Sequence, residues 1–195
     1  MNNRFSASLS ASAFFFFSMA VGAAGDGKRP TKLDLKFDGD AGEPVWSAQN
    51  DNVMGGVSKG DAVIRDGVLR FSGSLSFENN GGFAQVRICD LAYDLSGKKG
   101  VRMKIMGDGR TYQFRIATDA RHRGSRIAYR AEFPTKAGEW AEVVVAFADL
   151  TPSHRGKILD GPLADLSQIE ELSLLIGDKR EGPFTLVVDW IRTEP

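Results

Sequence analysis

The residues able to do chemistry in this chain are few and scattered. Its two histidines, His122 and His154, each open a His-Arg-Gly segment (His122-Arg123-Gly124 and His154-Arg155-Gly156). A zinc centre needs three or four ligands at short spacing, so both read as ordinary loop residues. Cys89 is the single cysteine, which rules out an intrachain disulfide. Within Val86-Arg87-Ile88-Cys89 it reads as a small buried hydrophobe, with no histidine nearby in sequence to activate it. Glu78, Asp108, Glu132 and Asp178 could serve as acid and base across a glycosidic bond if a fold gathered them, but they read as solvated turn and strand-face acids. No nucleophile–base pair stands out. One metal site is a candidate, beside the plainer reading of Asp-Gly-Asp as a common turn sequence: Asp38-Gly39-Asp40 stands at the front of the domain and Asp189 in its last strand. First and last strands often lie close together, and carboxylate oxygens suit a structural calcium on Asp38, Asp40 and Asp189. No other cofactor is expected.

Two glycine-rich segments carry more information. Asn50-Asp51-Asn52-Val53-Met54-Gly55-Gly56-Val57-Ser58 sets a glycine pair among polar and apolar residues without strand periodicity. Glu78-Asn79-Asn80-Gly81-Gly82-Phe83 repeats the theme. Glycine pairs permit positive φ and close backbone approach, which a packed turn or a ligand loop requires. A turn explains the glycines and asparagines; it does not explain Met54, an apolar side chain that must bury itself or touch a partner. Asn50, Asp51, Met54, Gly55, Gly56, Asn79 and Asn80 are therefore candidate binding residues.

These loops must be positioned by strands. Leu33 to Phe37 opens a series of short alternating runs. Ala62 to Arg65 and Val68 to Phe71 flank Asp66-Gly67, the dipeptide that suits a type I′ hairpin turn. Phe83–Ile88, Val101–Met106, Thr111–Ala117, Arg126–Phe133, Trp140–Phe147, Leu172–Ile176 and Phe184–Ile191 bring the series to about ten strands. Period-two alternation is clearest in Val101, Met103 and Ile105 against Arg102 and Lys104, and in Tyr112, Phe114 and Ile116 against Gln113 and Arg115. Only Leu163 to Leu172 could form a helix, of about two turns. The pattern defines an all-β sandwich or barrel. Trp140 and Trp190, in apolar strand contexts, read as core, and Trp46 is ambiguous. Gln85, Arg87, Arg102, Arg115 and Arg130 are the polar partners on the strands. If they share one sheet they form a basic, hydrogen-bonding face suited to an acidic protein segment or an anionic glycan. If they alternate between sheets they are solvated strand faces.

Composition fits this frame. The 195 residues carry 25 basic and 25 acidic side chains, so no global field draws the chain to nucleic acid. Residues 1–24 differ in kind: Arg4, then Phe14-Phe15-Phe16-Phe17, then small residues Gly22-Ala23-Ala24 follow the order of a secretory signal peptide. Residues 25–32 read as a linker and 33–195 as the sandwich domain. Cleavage is expected between Gly22 and Asp26, with a periplasmic or secreted mature chain lacking a transmembrane segment; retention of the leader as an anchor is the alternative.

Taken in order, several segments resemble one family. They are Trp46, Asn50-Asp51, Val53 to Ser58, Phe71-Ser72-Gly73, Glu78 to Arg87, Gly107-Asp108-Gly109-Arg110 with Tyr112, Tyr129, Phe133, Trp140, Phe147, Arg155-Gly156, Gly182-Pro183-Phe184 and Asp189-Trp190-Ile191. Together they are similar to the complex I intermediate-associated protein 30 family over Phe37 to Ile191. The resemblance implies a galactose-binding-like jelly-roll β-sandwich. It also implies a non-catalytic, chaperone-like assembly factor whose protein partner is a membrane complex under assembly. Carbohydrate-binding modules share this fold, so an envelope or extracellular glycan is the alternative ligand.

Overall fold

The computed structural model describes residues 28–38 and 45–195; the leader, and Asp40 of the expected calcium site, lie outside the described residues. Among the described residues thirteen strands follow in order: β1 (Asp34–Leu35), β2 (Ser47–Asn50), β3 (Lys59–Arg65), β4 (Val68–Leu75), β5 (Ala84–Ile88), β6 (Gly100–Met106), β7 (Thr111–His122), β8 (Ser125–Pro134), β9 (Trp140–Ala146), β10 (Thr151–His154), β11 (Lys157–Ile158), β12 (Glu171–Ile176) and β13 (Gly182–Glu194). They form two antiparallel sheets. One has the order β3-β4-β13-β6-β9, with β1 added on β13; the other runs β11-β10-β8-β7-β12-β5-β2. The architecture is the expected all-β jelly-roll sandwich.

Alternation places the core between the sheets. Leu69, Phe71, Met103, Ile105, Leu186 and Val188 face inward from the first, and Val86, Ile88, Phe114, Tyr129 and Leu174 from the second; all are essentially inaccessible. Each such side chain contributes about 1.5–3 kcal/mol of burial free energy. Phe71 joins the layers, edge-on to Phe184 at 4.9 Å and to Tyr112 at 6.4 Å. The β3–β4 hairpin turns at Asp66 (φ 53°) and Gly67 (φ 75°), the two left-handed residues a type I′ turn requires. The first and last strands do lie together, with Asp34 opposite Arg192.

Three expectations are corrected. No helix forms over Leu163 to Leu172: a 3-10 turn covers Leu166–Gln168, where the Asp165 carboxylate accepts from the Ser167 amide at 3.0 Å, and the chain then enters β12. Every residue of β12 is buried: Leu172, Leu174 and Ile176 face the core, while Glu171, Ser173 and Leu175 lie between the longer side chains of the flanking strands β5 and β7. Trp140 is not core. It lies on edge strand β9, 46 % exposed, with the Lys104 ammonium 5.4 Å from its ring. Trp190 is half-buried on the outer face, because a bulge between Val188 and Trp190 shifts the register, and Arg192 lies 4.5 Å over its ring. Trp46 packs against the core beside Phe37.

Candidate functional site

Asp51 organises the two glycine-rich loops. Its side chain is fully buried, and its carboxylate accepts hydrogen bonds from the Ser58 amide at 3.0 Å, the Gly82 amide at 2.6 Å and the Phe83 amide at 3.3 Å. Burial alone would raise the carboxyl; the hydrogen bonds from Ser58, Gly82 and Phe83 outweigh it and hold the group below the usual carboxylate range. Asp51 is therefore an internal clamp and presents nothing to a ligand. Asn50 is also internal, donating from Nδ2 to the Gly60 carbonyl at 3.0 Å. Gly55 takes φ 91°, and a Cβ on Gly56 would collide with the Asp51 side chain. Asn79 and Asn80 are exposed and adopt φ 55° and 59°.

What the clamp presents is apolar. Met54 is 58 % exposed and Val53 62 %, and Val57 and Phe77 are exposed on the same two loops. Met54→Asp should accordingly change stability by less than about 0.5 kcal/mol, whereas Gly56→Val should cost about 1–3 kcal/mol by displacing Asp51. Urea unfolding of both variants checks this; comparable losses would make Met54 a packing residue.

The strand polars segregate by sheet. Arg102 and Lys104 lie on the outer face of the six-stranded sheet, where both are ion-paired. Arg102 grips Glu194 with two bonds of 2.9 and 2.8 Å and reaches Glu142 at 3.2 Å, while Lys104 meets Asp189 at 2.7 Å. Asp189 is thus engaged by a cation on β6. Among the described residues no group of three or more His, Cys, Asp or Glu gathers that could hold a metal.

Gln85, Arg87, Arg115 and Arg130 share the outer face of the seven-stranded sheet. Registers place Ser47, Arg87, Ser173, Arg115, Arg130 and Thr151 opposite one another in a single row across six strands. Gln49, Gln85, Leu175, Gln113 and Glu132 form the next row. Arg87 reaches Glu171 at 3.4 Å and Arg130 reaches Glu132 at 3.1 Å, but Arg115 has only the neutral Gln85 amide oxygen at 3.0 Å. Burial lowers Arg115 to about 10, with Glu171 opposing and Arg130 adding to the shift. The Nε atoms of Arg87, Arg115 and Arg130 are all buried without a hydrogen-bond partner. Beside Arg130 and Glu132 runs a groove of about 280 Å³ edged by Val144, Thr151 and exposed Ile158.

The remaining candidates have structural roles. Asp178 forms a buried pair with Arg110, and Asp108 accepts from the Thr185 amide at 2.8 Å and the Tyr112 hydroxyl at 3.1 Å. Cys89 is half-buried on the outer side of β5, 3.7 Å from a Glu171 oxygen; burial, then the Glu171 charge, push its thiol up, away from nucleophilic character. The repeated His-Arg-Gly segments are two type I′ turns, with φ 49° and 80° at Arg123 and Gly124 and 48° and 78° at Arg155 and Gly156. Neighbouring hairpins bring the two rings within 5.1 Å. Gly56-Val57-Ser58-Lys59-Gly60 matches the nucleophile-elbow pattern of serine hydrolases. Ser58 is buried, however, leads into a strand instead of a helix, and exchanges two hydrogen bonds with the Ser76 backbone.

Two antiparallel sheets, a clamped loop pair and a polar outer face define an all-β jelly-roll sandwich. The family model "Complex I intermediate-associated protein 30" matches residues 35–188, and the chain belongs to that family. The mouse mitochondrial complex I intermediate-associated protein 30 is 30 % identical over 105 residues, 52 % of this chain and 32 % of the mouse protein, so the match spans about a third of that relative. Among solved structures, the family 11 carbohydrate-binding module of a Clostridium thermocellum cellulosomal cellulase superposes with a TM-score of 0.63 at 13 % identity, over 85 % of this chain and 96 % of that one. A family 30 carbohydrate-binding module gives 0.55 at 17 % identity, over 84 % and 99 %. These likenesses establish the fold.

Proposed function

We propose that this protein is a non-catalytic binding and assembly factor that engages a protein partner through the outer face of the seven-stranded sheet. The arginine row carries the reading: three guanidinium groups on one face keep buried, unpartnered Nε–H donors, while Arg102 and Lys104 on the opposite sheet are paired within the chain. These buried Nε–H donors hold the row under-satisfied, and the partly exposed guanidinium ends of Arg87 and Arg130 are what a partner's acceptors would meet. Membership of an assembly-protein family supports a membrane complex as that partner, and the leader-like residues 1–24 support a setting in the cell envelope.

A glycan ligand is the second reading, and exposed Trp140 favours it. That ring borders a groove of about 380 Å³ with Thr135, Lys136 and Glu139. Salt separates the two readings. A partner held by charge-assisted hydrogen bonds should weaken as salt rises, whereas a neutral sugar held by stacking should barely respond. The test is a pull-down from the native envelope beside a glycan array, each at low and high salt. The expected result is a salt-sensitive protein partner lost in Arg87→Ala and Arg115→Ala. A salt-insensitive neutral-glycan signal that survives both variants and disappears in Trp140→Ala would defeat the proposal.

A further inference from the structure

Resting on the partner-binding reading above, we infer that the row Arg87–Arg115–Arg130 is a carboxylate-recognition site for an acidic, extended peptide segment of the partner. Arg115 and Arg130 stand directly opposite each other on β7 and β8. Like charges so placed destabilise an antiparallel pair, with Cβ atoms only about 5 Å apart. Within the chain the Glu171 charge acts on Arg115 against this repulsion, but Glu171 ion-pairs with Arg87 and Arg126 and makes no ion pair with Arg115. Arg130 borrows Glu132, whose side chain is 58 % exposed, and Arg115 borrows an amide oxygen. A carboxylate seated between the two guanidinium groups accepts from both and removes the repulsion. Because the Arg130–Glu132 contact is solvent-exposed and weak, Glu132 can swing away and free the fork.

The spacing argues for a chain of anions over a single ion. Arg87 lies two strands from Arg115, about 10 Å away at the usual strand separation. One small anion cannot reach both ends of the row. An extended peptide, whose alternate side chains repeat every 6.5–7 Å or so, can set successive carboxylates along it. The adjacent row offers Gln85 and Gln113, whose amides match peptide N–H and C=O groups. Among the described residues neither row contains an aromatic ring on which a sugar could stack.

The test uses the whole protein and labelled octa-glutamate, octa-glutamine, polygalacturonate and sulfate as probes in fluorescence anisotropy or competition. Octa-glutamate should bind at low salt and weaken at least about tenfold when the Debye length falls to a few ångströms. Arg115→Gln and Arg130→Gln should each weaken it about tenfold or more, while Arg102→Gln on the other sheet leaves it unchanged. Melting temperatures distinguish binding from folding: Arg115→Gln should melt close to the parent, since the new amide can still donate to Gln85 and spares the cost of a buried charge. Equal binding of octa-glutamine, equal loss in Arg102→Gln, or loss only in variants that unfold would overturn the inference. Tighter binding of polygalacturonate would reassign the row to an anionic glycan, and full competition by millimolar sulfate to a small-ion site. A native protein partner retained by the arginine variants would overturn this inference while leaving the partner-binding reading intact.

Discussion

Arg110→Ala is expected to destabilise the protein by about 3–5 kcal/mol, the range for removing one partner of a buried ion pair. Arg110 and Asp178 are only 5 % and 7 % exposed. The guanidinium donates from Nε to Asp178 at 3.0 Å and from a terminal nitrogen to its second oxygen at 2.5 Å. Its other donors reach the carbonyls of Arg180, Gly182 and Pro183, the last at 2.9 Å. One side chain therefore ties the turn before β7 to the loop that leads into β13. For Asp178, burial would raise the carboxyl, but the Arg110 hydrogen bonds and charge outweigh it and lower it. Truncating Arg110 leaves that carboxylate buried and alone. Chemical denaturation checks the loss; a change below about 1 kcal/mol would mean that water takes over these contacts.

Asp51→Ala should cost a similar amount, about 3–5 kcal/mol, because three backbone amides would lose their acceptor in a dry site. Asp51→Asn should restore little, since an amide turns a donor toward donors. The pH dependence follows from the direction of the shift. A carboxyl lowered in the folded state stabilises above its unfolded value of about 3.9, and that contribution is lost as pH falls through the folded value. The parent should thus lose stability below about pH 4, and the Asp51 variants should show a shallower loss there. Parallel slopes in parent and variant would remove Asp51 as the origin.

Both results bear on what a sequence can disclose. The long strands were legible because Tyr112, Phe114 and Ile116 alternate cleanly with Gln113 and Arg115. β2, β10 and β11 were not, since they span only Ser47–Asn50, Thr151–His154 and Lys157–Ile158 and present no apolar alternation. The glycine-rich loops were recognisable as a constrained pair, but Asp51 read as a ligand residue because two of its three amide partners, Gly82 and Phe83, come from the other loop. Gly-x-Ser-x-Gly around Ser58 could mislead in the opposite direction, toward a hydrolase. The arginine row was legible as alternating polar positions, yet only strand order could separate Arg102 from Arg87, Arg115 and Arg130. The exposure of Trp140 followed from β9 being an edge, and that of Trp190 from a bulge. Neither leaves a mark in local composition.

The most direct test of the proposed partner-binding face is site-specific photo-crosslinking in intact native cells, with the reactive group at Gln113 on the seven-stranded sheet or at Arg70 on the six-stranded sheet. Gln113 neighbours the arginine row, and Arg70 is exposed on the opposite outer face. The account predicts a discrete protein adduct from Gln113, abolished by Arg130→Gln, and none from Arg70. An adduct from Arg70 alone, or a Gln113 adduct indifferent to Arg130→Gln, would contradict it.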